Sequence, residues 1–380
     1  MTGLDGHRVY LDWNATAPLR PEARAAMLAA MDEVGNPSSV HSEGRAAKKI
    51  VEQARGQIAQ LVGCEPSEIV FTSGATEAAS LGIHSEYDVI YLSEAEHDCV
   101  YERSLGIGHS VFAYPRNAGR HEDDEFDYRS PDFDLDEGLF AVAAANGETG
   151  VLENPAKICA FAHGSGAEFL TDAVQAVGKT DFSFAVCGAD CALASSHKIG
   201  GPKGAGALIS RSGRDVFGGL PGGGQEQGRR SGTENVIGIA GFGAAAEASR
   251  RDLEAGVWGP VKKLRNILES RLAEAVPDTI FFGEESPRLP NTSCFAVPGW
   301  KGETQVMQMD LAGFAVSAGS ACSSGKVNKA SRVLMAMGFD EVTASSAIRV
   351  SMGPTTTEAE VMAFADTWIE HYNRRKSRAA

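Results

Sequence analysis

Three short segments of this chain carry residues whose type and position could do chemistry. Lys198 follows two serines and a histidine and precedes a glycine-rich turn, whose small residues let a ligand approach the amine as a Schiff-base lysine requires. Asp172 ends the apolar run EFLT, and a buried aspartate needs a cationic partner such as a protonated pyridine nitrogen. Gly74-Ala75-Thr76 joins a strand pattern to a helical one, so its backbone N–H groups could hold a phosphate.

Each signal has a simpler interpretation when it is taken alone. Lys198 could be a solvated surface lysine, and the turn before Thr76 could be an ordinary helix N-cap. Together, however, the segments supply an aldimine lysine, a pyridinium partner and a phosphate cup. The combination predicts a site for pyridoxal 5'-phosphate.

Three more residues are candidates for the reaction itself. Cys322 lies among small residues in Ser-Ala-Gly-Ser-Ala-Cys-Ser-Ser-Gly, a setting that predicts a mobile, accessible thiol that can act as a carrier. His97 follows a predicted strand, where it is either a structural histidine or a ring that stacks on a cofactor and carries protons. Arg349 interrupts the apolar run AIRVSM, either as an exposed residue of an edge strand or as a bidentate clamp for a substrate carboxylate.

The elements that must position these residues alternate in type along the chain. Two amphipathic helices over 21–34 and 42–62 precede short apolar runs separated by helical stretches, a pattern typical of a parallel sheet buried on both faces. The predicted strands of this region are Glu68–Ser73, Val89–Ser93, Leu139–Ala145, Glu168–Ala173 and Gly206–Ser210. We expect the polar, acidic stretch 110–137 to be a solvated loop.

The last third of the chain predicts a second, smaller α/β unit. Helical patterns over 232–249 and 258–276 lead to strand patterns at Thr292–Val297, Phe314–Gly319 and Ala347–Met352, and a helix from Thr357 closes the chain. We therefore expect an α/β protein in which residues 15–250 form the large domain, with a mostly parallel sheet. Residues 1–14 and 251–380 then form a small domain that carries the Cys322 loop.

Composition excludes several classes of protein. With 35 basic and 50 acidic residues the formal charge is −15, which disfavours nucleic acid and anionic membranes as partners. The 7 cysteines contain no C-x-x-C pair, so neither a disulfide framework nor a metal site is expected. No leader pattern and no apolar run of membrane-spanning length is visible, which makes the cytoplasm the default compartment.

The ordered motifs resemble those of the cysteine desulfurases of the NifS/IscS-like branch, within the class-V aminotransferases and the fold-type-I pyridoxal-phosphate enzymes. The resemblance covers nearly the whole chain. The matching segments are Leu11-Asp-Trp-Asn-Ala-Thr-Ala-Pro18, Gly35-Asn-Pro-Ser-Ser, Phe71-Thr-Ser-Gly-Ala-Thr-Glu, Glu96-His, Thr171-Asp-Ala-Val-Gln, Ser196-His-Lys, Gly200-Gly-Pro-Lys-Gly, Gly222-Gly-Gly-Gln-Glu, Arg230-Ser-Gly-Thr-Glu-Asn, Gly319-Ser-Ala-Cys and Ile348-Arg-Val-Ser-Met-Gly.

The resemblance implies a role for each candidate. Lys198 would form the aldimine, Cys322 would be the persulfide-bearing nucleophile, and His97 would stack on the ring and carry protons. Arg349, helped by Asn14, would bind the cysteine carboxylate. The remaining cofactor contacts would come from Asp172 on the ring nitrogen, from Gln175 on the ring oxygen, and from Ala75, Thr76, Ser195, His197 and, across a homodimer, Thr233 on the phosphate. Asn146 would shift to compensate for the asparagine that Gly147 replaces.

The implied reaction removes sulfur from L-cysteine, leaves L-alanine, and passes the sulfur to an acceptor protein for iron–sulfur cluster assembly or thiolation. One departure from the family pattern is Gly147, which stands where relatives carry an asparagine that contacts the cofactor. Three alternatives remain: a selenocysteine lyase, an aminotransferase or carbon–sulfur lyase, and a weakened sulfur-relay partner. The mobile cysteine loop counts against the second of these.

Overall fold

The computed structural model describes most of the chain. The described residues are 3–4, 6–84, 86–106, 110–114, 138–214, 216, 221–319 and 330–379. Cys322 and the segment that carries it lie outside the described residues.

Seven strands form the larger sheet, in the order β2-β8-β7-β6-β5-β3-β4. Strands β3, β4, β5, β6 and β7 run parallel, and β8 is antiparallel to both of its neighbours. These strands are β2 Ile69–Thr72, β3 Val89–Ser93, β4 Ser110–Tyr114, β5 Leu139–Ala143, β6 Glu168–Asp172, β7 Cys191–Ser195 and β8 Gly206–Ser210. The mostly parallel sheet predicted from the apolar runs is therefore confirmed.

Helices cover both faces of this sheet because alternate residues of each strand point to opposite sides. On one face Phe71, Phe140 and Phe169 pack in a core with α2 and α7, and on the other face Val70, Leu139 and Leu170 pack with α3 and α4. The helices of this part are α1 Pro21–Met31, α2 Ser42–Val62, α3 Ala75–Gly82, α4 Asp98–Gly106, α5 Pro155–Gly164, α6 Phe184–Cys187 and α7 Val236–Glu254.

A four-stranded antiparallel sheet of order β12-β13-β10-β9 forms in the last third of the chain, and β1 pairs with β11 in a separate parallel ladder. The strands are β1 Val9–Tyr10, β9 Ile280–Phe281, β10 Thr292–Ala296, β11 Phe314–Ala315, β12 Ser317–Ala318 and β13 Ala347–Ser351. The helices are α8 Trp258–Ala275, α9 Gly302–Leu311, α10 Arg332–Ala336, α11 Glu341–Ser345 and α12 Glu358–Ala379.

A second core, built around Phe295, Phe364 and Trp368, lies between this sheet and helices α8, α9 and α12. Val9 and Leu11 from the start of the chain are buried in it. These separate cores are consistent with a division near residue 250, which stays a proposal.

Two local predictions were wrong, and one strand was missed. The loop expected over 110–137 begins with strand β4, which pairs in parallel with β3. The single strand expected at Phe314–Gly319 is split between β11 and β12, which belong to different sheets. Strand β7 was missed, because Cys-Ala-Leu-Ala-Ser contains small residues and no β-branched one.

No helix within the described ranges is long and apolar enough to cross a membrane.

Candidate active site

A cavity of about 570 Å³ opens at the edge of the larger sheet where the parallel strands end. This is the edge at which ligands bind in α/β folds. Most of the predicted site residues line it: Ala75, Thr76, His97, Asn146, Asp172, Gln175, Ser195, His197 and Lys198. Asn14, Arg349 and Thr233 are described by the structure but are not part of this lining.

Asp172 is the last residue of β6, and only 7% of it is exposed. One carboxylate oxygen, Oδ1, accepts a 2.9 Å hydrogen bond from the backbone N–H of Val174. Burial raises the pKa of this carboxyl, against the opposing effects of His97, the Val174 N–H and Lys198. A cation delivered to this carboxylate would relieve the cost of burying its charge.

The amino terminus of α3 forms a second side of the cavity. Gly74 is the N-cap residue, and no side chain caps the first turn, so the N–H groups of Ala75 and Thr76 have no intrahelical acceptor. The carboxylate of Glu77, in the same turn, accepts from Arg230 Nε at 2.8 Å and from the Ser73 backbone N–H at 2.6 Å, and Glu77 is not part of the cavity lining. The arrangement leaves a helix terminus that suits an anion.

Ser195 and His197 face the same anion site from the end of β7 and the turn that follows it. Burial, and then the positive charges of Lys198 and Lys203, lower the pKa of His197 to about 4. This histidine is therefore neutral at physiological pH. It can donate a hydrogen bond to a phosphate oxygen without bringing a charge.

Lys198 ends the short turn Ser196–Lys198 that follows β7. Its Nζ donates to the backbone carbonyls of Asn14 at 2.7 Å and Ala15 at 3.0 Å. Both acceptors are neutral, so the amine is oriented without an ion pair to these residues.

His97 precedes α4, where its Nδ1 accepts a 3.1 Å hydrogen bond from the backbone N–H of Cys99. The Cys99 thiol lies 3.1 Å from the same nitrogen. Burial raises the pKa of the Cys99 thiol, which favours its protonated form. These contacts fix the imidazole at the cavity wall.

Arg349 lies on β13, between β12 and β10, and is 5% exposed. The alternative that it is an exposed residue of an edge strand is therefore wrong. Its guanidinium donates to Asp12 Oδ1 at 2.8 Å and to the Gly147 carbonyl at 2.9 Å, and Gly147 lines the cavity. Arg349 is thus held beside the cavity by a carboxylate and a peptide oxygen.

Asn14 is buried outside the cavity lining, and its side chain bonds to neighbouring residues. Its Nδ2 donates to the Gly147 carbonyl at 3.2 Å and to Thr292 Oγ1 at 2.8 Å, and its Oδ1 accepts from Asn291 at 3.0 Å. Its own carbonyl accepts from Gln175 Nε2 at 3.0 Å as well as from Lys198. Asn14 therefore ties the start of the chain to both sheets.

Asn146 is engaged at both ends of its side chain. Its Oδ1 accepts from the backbone N–H groups of Glu148 and Thr149 at 2.9 Å, and its Nδ2 donates to the Ala95 carbonyl at 3.1 Å. These bonds hold the turn after β5. Gly147 leaves the adjacent cavity wall without a side chain, where a Cβ would lie 3.4 Å from Gln175 Cγ and Nε2.

Glu148 is a cavity residue that sequence reasoning missed, because an acid after Asn-Gly has the composition of an exposed turn. It is 4% exposed, and its Oε1 has no hydrogen-bond partner among the described residues. Burial raises its pKa to about 7, although Ser331, Arg349 and Arg332 act in the opposite direction. Burial therefore favours the protonated form of this carboxyl.

The cavity fits pyridoxal phosphate. Its volume lies within the ~300–1,000 Å³ range of small-molecule sites. Asp172 offers a buried carboxylate for a protonated ring nitrogen, the uncapped turn at Thr76 suits the phosphate, and Lys198 presents an amine. The residues present therefore match the donor set that the group requires.

Known proteins share both the sequence and the fold of this chain. The aminotransferase class-V family profile matches residues 9–364. The chain is 41% identical over 368 residues to a cysteine desulfurase of Cereibacter sphaeroides, covering 93% of each chain. It is 38% identical over 382 residues to a cysteine desulfurase of Frankia sp. (strain EuIK1), covering 94% of this chain and 90% of that one.

A solved structure, the NifS-like protein from Rickettsia africae ESF-5, matches with a TM-score of 0.87 at 33% identity. The match covers 97% of this chain and 100% of that one. The sequence and the fold therefore agree in their assignment. The chain belongs to the NifS-like cysteine desulfurases of the class-V aminotransferase family.

Proposed function

We propose that this protein removes sulfur from L-cysteine with pyridoxal phosphate, leaving L-alanine and a persulfide on Cys322. The observation that carries the proposal is the meeting of Lys198 and Asp172 in one cavity with an uncapped helix terminus. The cofactor and the activity agree with the family and with the relatives named cysteine desulfurase. The fold is that of the fold-type-I pyridoxal-phosphate enzymes.

The proposed roles divide the cavity between binding and proton transfer. Bound pyridoxal phosphate supplies an electron sink for bond breaking at the substrate α-carbon. Asp172 would hold the ring nitrogen in its protonated form, and Gln175 would bind the ring oxygen. Ala75, Thr76, Ser195 and His197 would bind the phosphate, while Asn146 would act through the turn that it holds.

Lys198 moves the proton at the substrate α-carbon, because an amine that lines the cavity can act as a general base. Arg349 binds the substrate carboxylate, and Asn14 orients the Gly147 carbonyl that Arg349 contacts. His97 carries the proton at the two thiols.

Sulfur transfer balances in atoms and electrons. The Cys322 thiolate attacks the substrate sulfur, a sulfur–sulfur bond forms, and the bond between carbon and sulfur breaks. The carbon retains the electron pair and takes up a proton, so that L-alanine leaves. No outside oxidant or reductant is needed.

The assembly around this site is also part of the proposal. Thr233 is exposed and lies before α7, outside the cavity lining, which is compatible with a reach to the cofactor of a second subunit in a homodimer. We propose a protein acceptor for the persulfide, in iron–sulfur cluster assembly or thiolation, and a cytoplasmic location. The small domain, residues 1–14 and 251–380, would present the Cys322 loop to the bound cofactor and to the acceptor protein.

Mass spectrometry of the intact protein after incubation with L-cysteine tests this function. We expect an added mass of sulfur that peptide mapping places on Cys322, together with alanine in the medium. The Cys322→Ser variant should lose both, whereas Cys64→Ser, a matched control at a half-buried cysteine outside the cavity lining, should keep both. Alanine release by Cys322→Ser at the parental rate would contradict the proposal and favour a selenocysteine lyase.

A further inference from the structure

Arg332 lines the cavity, but no step of the proposed reaction uses it. It is the first residue of α10, and its guanidinium contacts the turn that joins β3 to α4. Nη1 donates to the carbonyl of Glu94, and Nη2 donates to the carbonyl of Glu96 and to Asp98 Oδ1, both at 2.7 Å. The guanidinium carbon also lies 4.0 Å from the centroid of the Tyr101 ring. One planar cation thus binds two peptide oxygens, a carboxylate and an aromatic face.

The helix that carries Arg332 is itself fixed to the antiparallel sheet. The side chain of Ser331 caps it by accepting a 3.1 Å hydrogen bond from the Leu334 N–H. Leu334 is fully buried in a core that includes Cys294 and Ala296 of β10. The backbone of Arg332 therefore starts from a packed element, so its guanidinium can hold another segment in place.

The segment that Arg332 holds carries His97. In the sequence His97 lies between Glu96 and Asp98, both of which Arg332 binds. The side chain of Glu96 also accepts a 2.9 Å hydrogen bond from the backbone N–H of Ala143, at the end of β5. The larger sheet and Arg332 thus both fix this turn, and any shift of the turn would move the imidazole.

We propose that Arg332 is a positioning residue for His97, because it holds the turn that places the imidazole at the proton it transfers. A general acid or base must lie within ~2.6–3.2 Å of the heavy atom that carries that proton. A displacement of about 1 Å can therefore remove much of its contribution. Arginine suits this task, since its rigid fork addresses separate oxygens in a fixed geometry. The inference rests on the role proposed for His97.

A double-mutant cycle at positions 332 and 97 tests the inference in the full chain loaded with cofactor. We expect Arg332→Met to lower kcat for alanine release about tenfold and to leave KM for L-cysteine within about twofold, since a displaced proton carrier slows chemistry rather than binding. In the His97→Gln background the same substitution should change kcat by less than about twofold, because the group through which Arg332 acts is gone.

Amide hydrogen exchange of the chain freed of cofactor gives a second readout. The Cys99 N–H donates to His97 Nδ1 at 3.1 Å, so a looser turn should exchange this hydrogen about tenfold faster in Arg332→Met. Arg250→Met is the matched control, because the Arg250 side chain is 32% exposed and pairs with Glu247, as Arg332 is 30% exposed and pairs with Asp98. It should leave kcat and the exchange at Cys99 unchanged.

The outcomes separate this inference from the proposed function. Equal fold losses of kcat in the two backgrounds, or parental exchange at Cys99 in a folded variant, would overturn the inference. Arg332→Gln carries both measurements if Arg332→Met fails to fold, as judged by circular dichroism. A His97→Gln protein with the parental kcat would also overturn it. Absence of a persulfide on Cys322 in the parent would instead overturn the proposed function, and the exchange at Cys99 would still decide whether Arg332 fixes the turn.

Discussion

The lining of the cavity and the residues that support it from outside are built in different ways. The strand-end wall consists of the lining residues Thr76, His97, Asp172 and Lys198, which lie at the carboxyl ends of strands in the larger sheet. What we call the cross-chain wall lies outside the lining and consists of Asp12, Asn14 and Arg349, which join the start of the chain to β13 and meet the lining at the Gly147 carbonyl. In the first wall one sheet brings neighbours together, whereas in the second wall the contacts span more than 300 residues of sequence.

The hydrogen bonding of the two walls differs accordingly. Among the described residues, Asp172 accepts one hydrogen bond, from the Val174 N–H. The first turn of α3, which contains Thr76, has no side-chain cap. In the cross-chain wall, Arg349 donates to a carboxylate and a peptide oxygen, and the Asn14 side chain bonds to hydroxyl, amide and peptide groups. Backbone geometry can position a group that awaits a ligand, but groups brought from distant segments need bonds to one another to stay in place.

Replacing Lys198 by alanine is the strongest test of the strand-end wall. We expect alanine release to fall by about 10⁴-fold, because the variant loses both the nucleophile and the proton acceptor. The melting temperature should change little, since the hydrogen bonds from the amine to the backbone carbonyls of Asn14 and Ala15 join it to neutral groups. Alanine assay and thermal unfolding measure the two effects.

Lys157→Ala is the matched control for that change, because Lys157 is an exposed lysine on α5. It should retain the parental rate. A Lys198→Ala protein with more than a tenth of parental activity would remove the chemical distinction between the two walls.

Replacing Arg349 by methionine tests the cross-chain wall. The pair with Asp12 is nearly buried, with side-chain exposures of 6% and 17%, so loss of one partner leaves an uncompensated carboxylate. We expect kcat/KM for L-cysteine to fall by about 10²-fold, mainly through KM, and the free energy of unfolding to fall by about 3 kcal/mol. Steady-state kinetics and urea unfolding check both values.

Arg271 offers the comparison, because its pair with Asp366 has side-chain exposures of 38% and 57%. Arg271→Met should cost less than ~1 kcal/mol and leave kcat/KM unchanged. Equal effects of the two substitutions would mean that Arg349 does not contribute more than a surface ion pair.

Glu148, next to both walls, leads to a prediction of how the free energy of unfolding depends on pH. Its pKa is raised by burial from 4.5 to about 7, so the folded state holds this proton over a pH range in which the unfolded state has lost it. Its contribution to stability is therefore full below pH 4.5 and is lost as the pH rises to about 7, by up to roughly 3 kcal/mol.

Glu148→Gln should remove that slope. Urea unfolding at pH values between 4.5 and 8 measures it, and Glu153→Gln, at a half-buried neighbour with a different environment, serves as the control. Parallel curves for Glu148→Gln and the parent would show that the carboxyl titrates at its ordinary value.

Sequence patterns predict the strand-end wall better than the cross-chain wall. The apolar runs before Asp172 and Gly74 predict strands, and the carboxyl end of a strand marks where the ligand edge lies. The pattern around Lys198 predicts less of the structure, because β7, the strand before it, is built from small residues and was missed. Its position at the ligand edge therefore depended on the motif alone.

The cross-chain wall depends on pairings that no local pattern encodes. Asp12 reads as an acid near the start of the chain, and nothing in its neighbours indicates Arg349 on β13 as its partner. Lys179 and Glu148 likewise have the composition of exposed turns, although both are 4% exposed. Burial of a charged residue arises from the tertiary structure. It can therefore be predicted only once the positions of the two sheets are known.

Gly147→Ala is expected to have the smallest effect, and it tests how tightly the cross-chain wall is packed. The backbone carbonyl of Gly147 receives Asn14 and Arg349, whereas a new Cβ would meet Gln175 at an ordinary contact distance of 3.4 Å. We expect a change in the free energy of unfolding within about 1 kcal/mol, because the gain from a less flexible unfolded chain offsets slight crowding. Thermal unfolding of the purified variant measures it.

Gly353→Ala gives the contrast beside Trp13, the neighbour of Asp12 and Asn14 in sequence, because its Cβ would lie 2.2 Å from the Trp13 ring. This substitution should cost about 1–3 kcal/mol, since a packed indole cannot move aside as the end of a flexible side chain can. If Gly147→Ala cost as much as Gly353→Ala, the peptide that receives Arg349 would have to be as closely packed as the core. The absent side chain at position 147 would then be a steric requirement of the wall rather than a space open to the cavity.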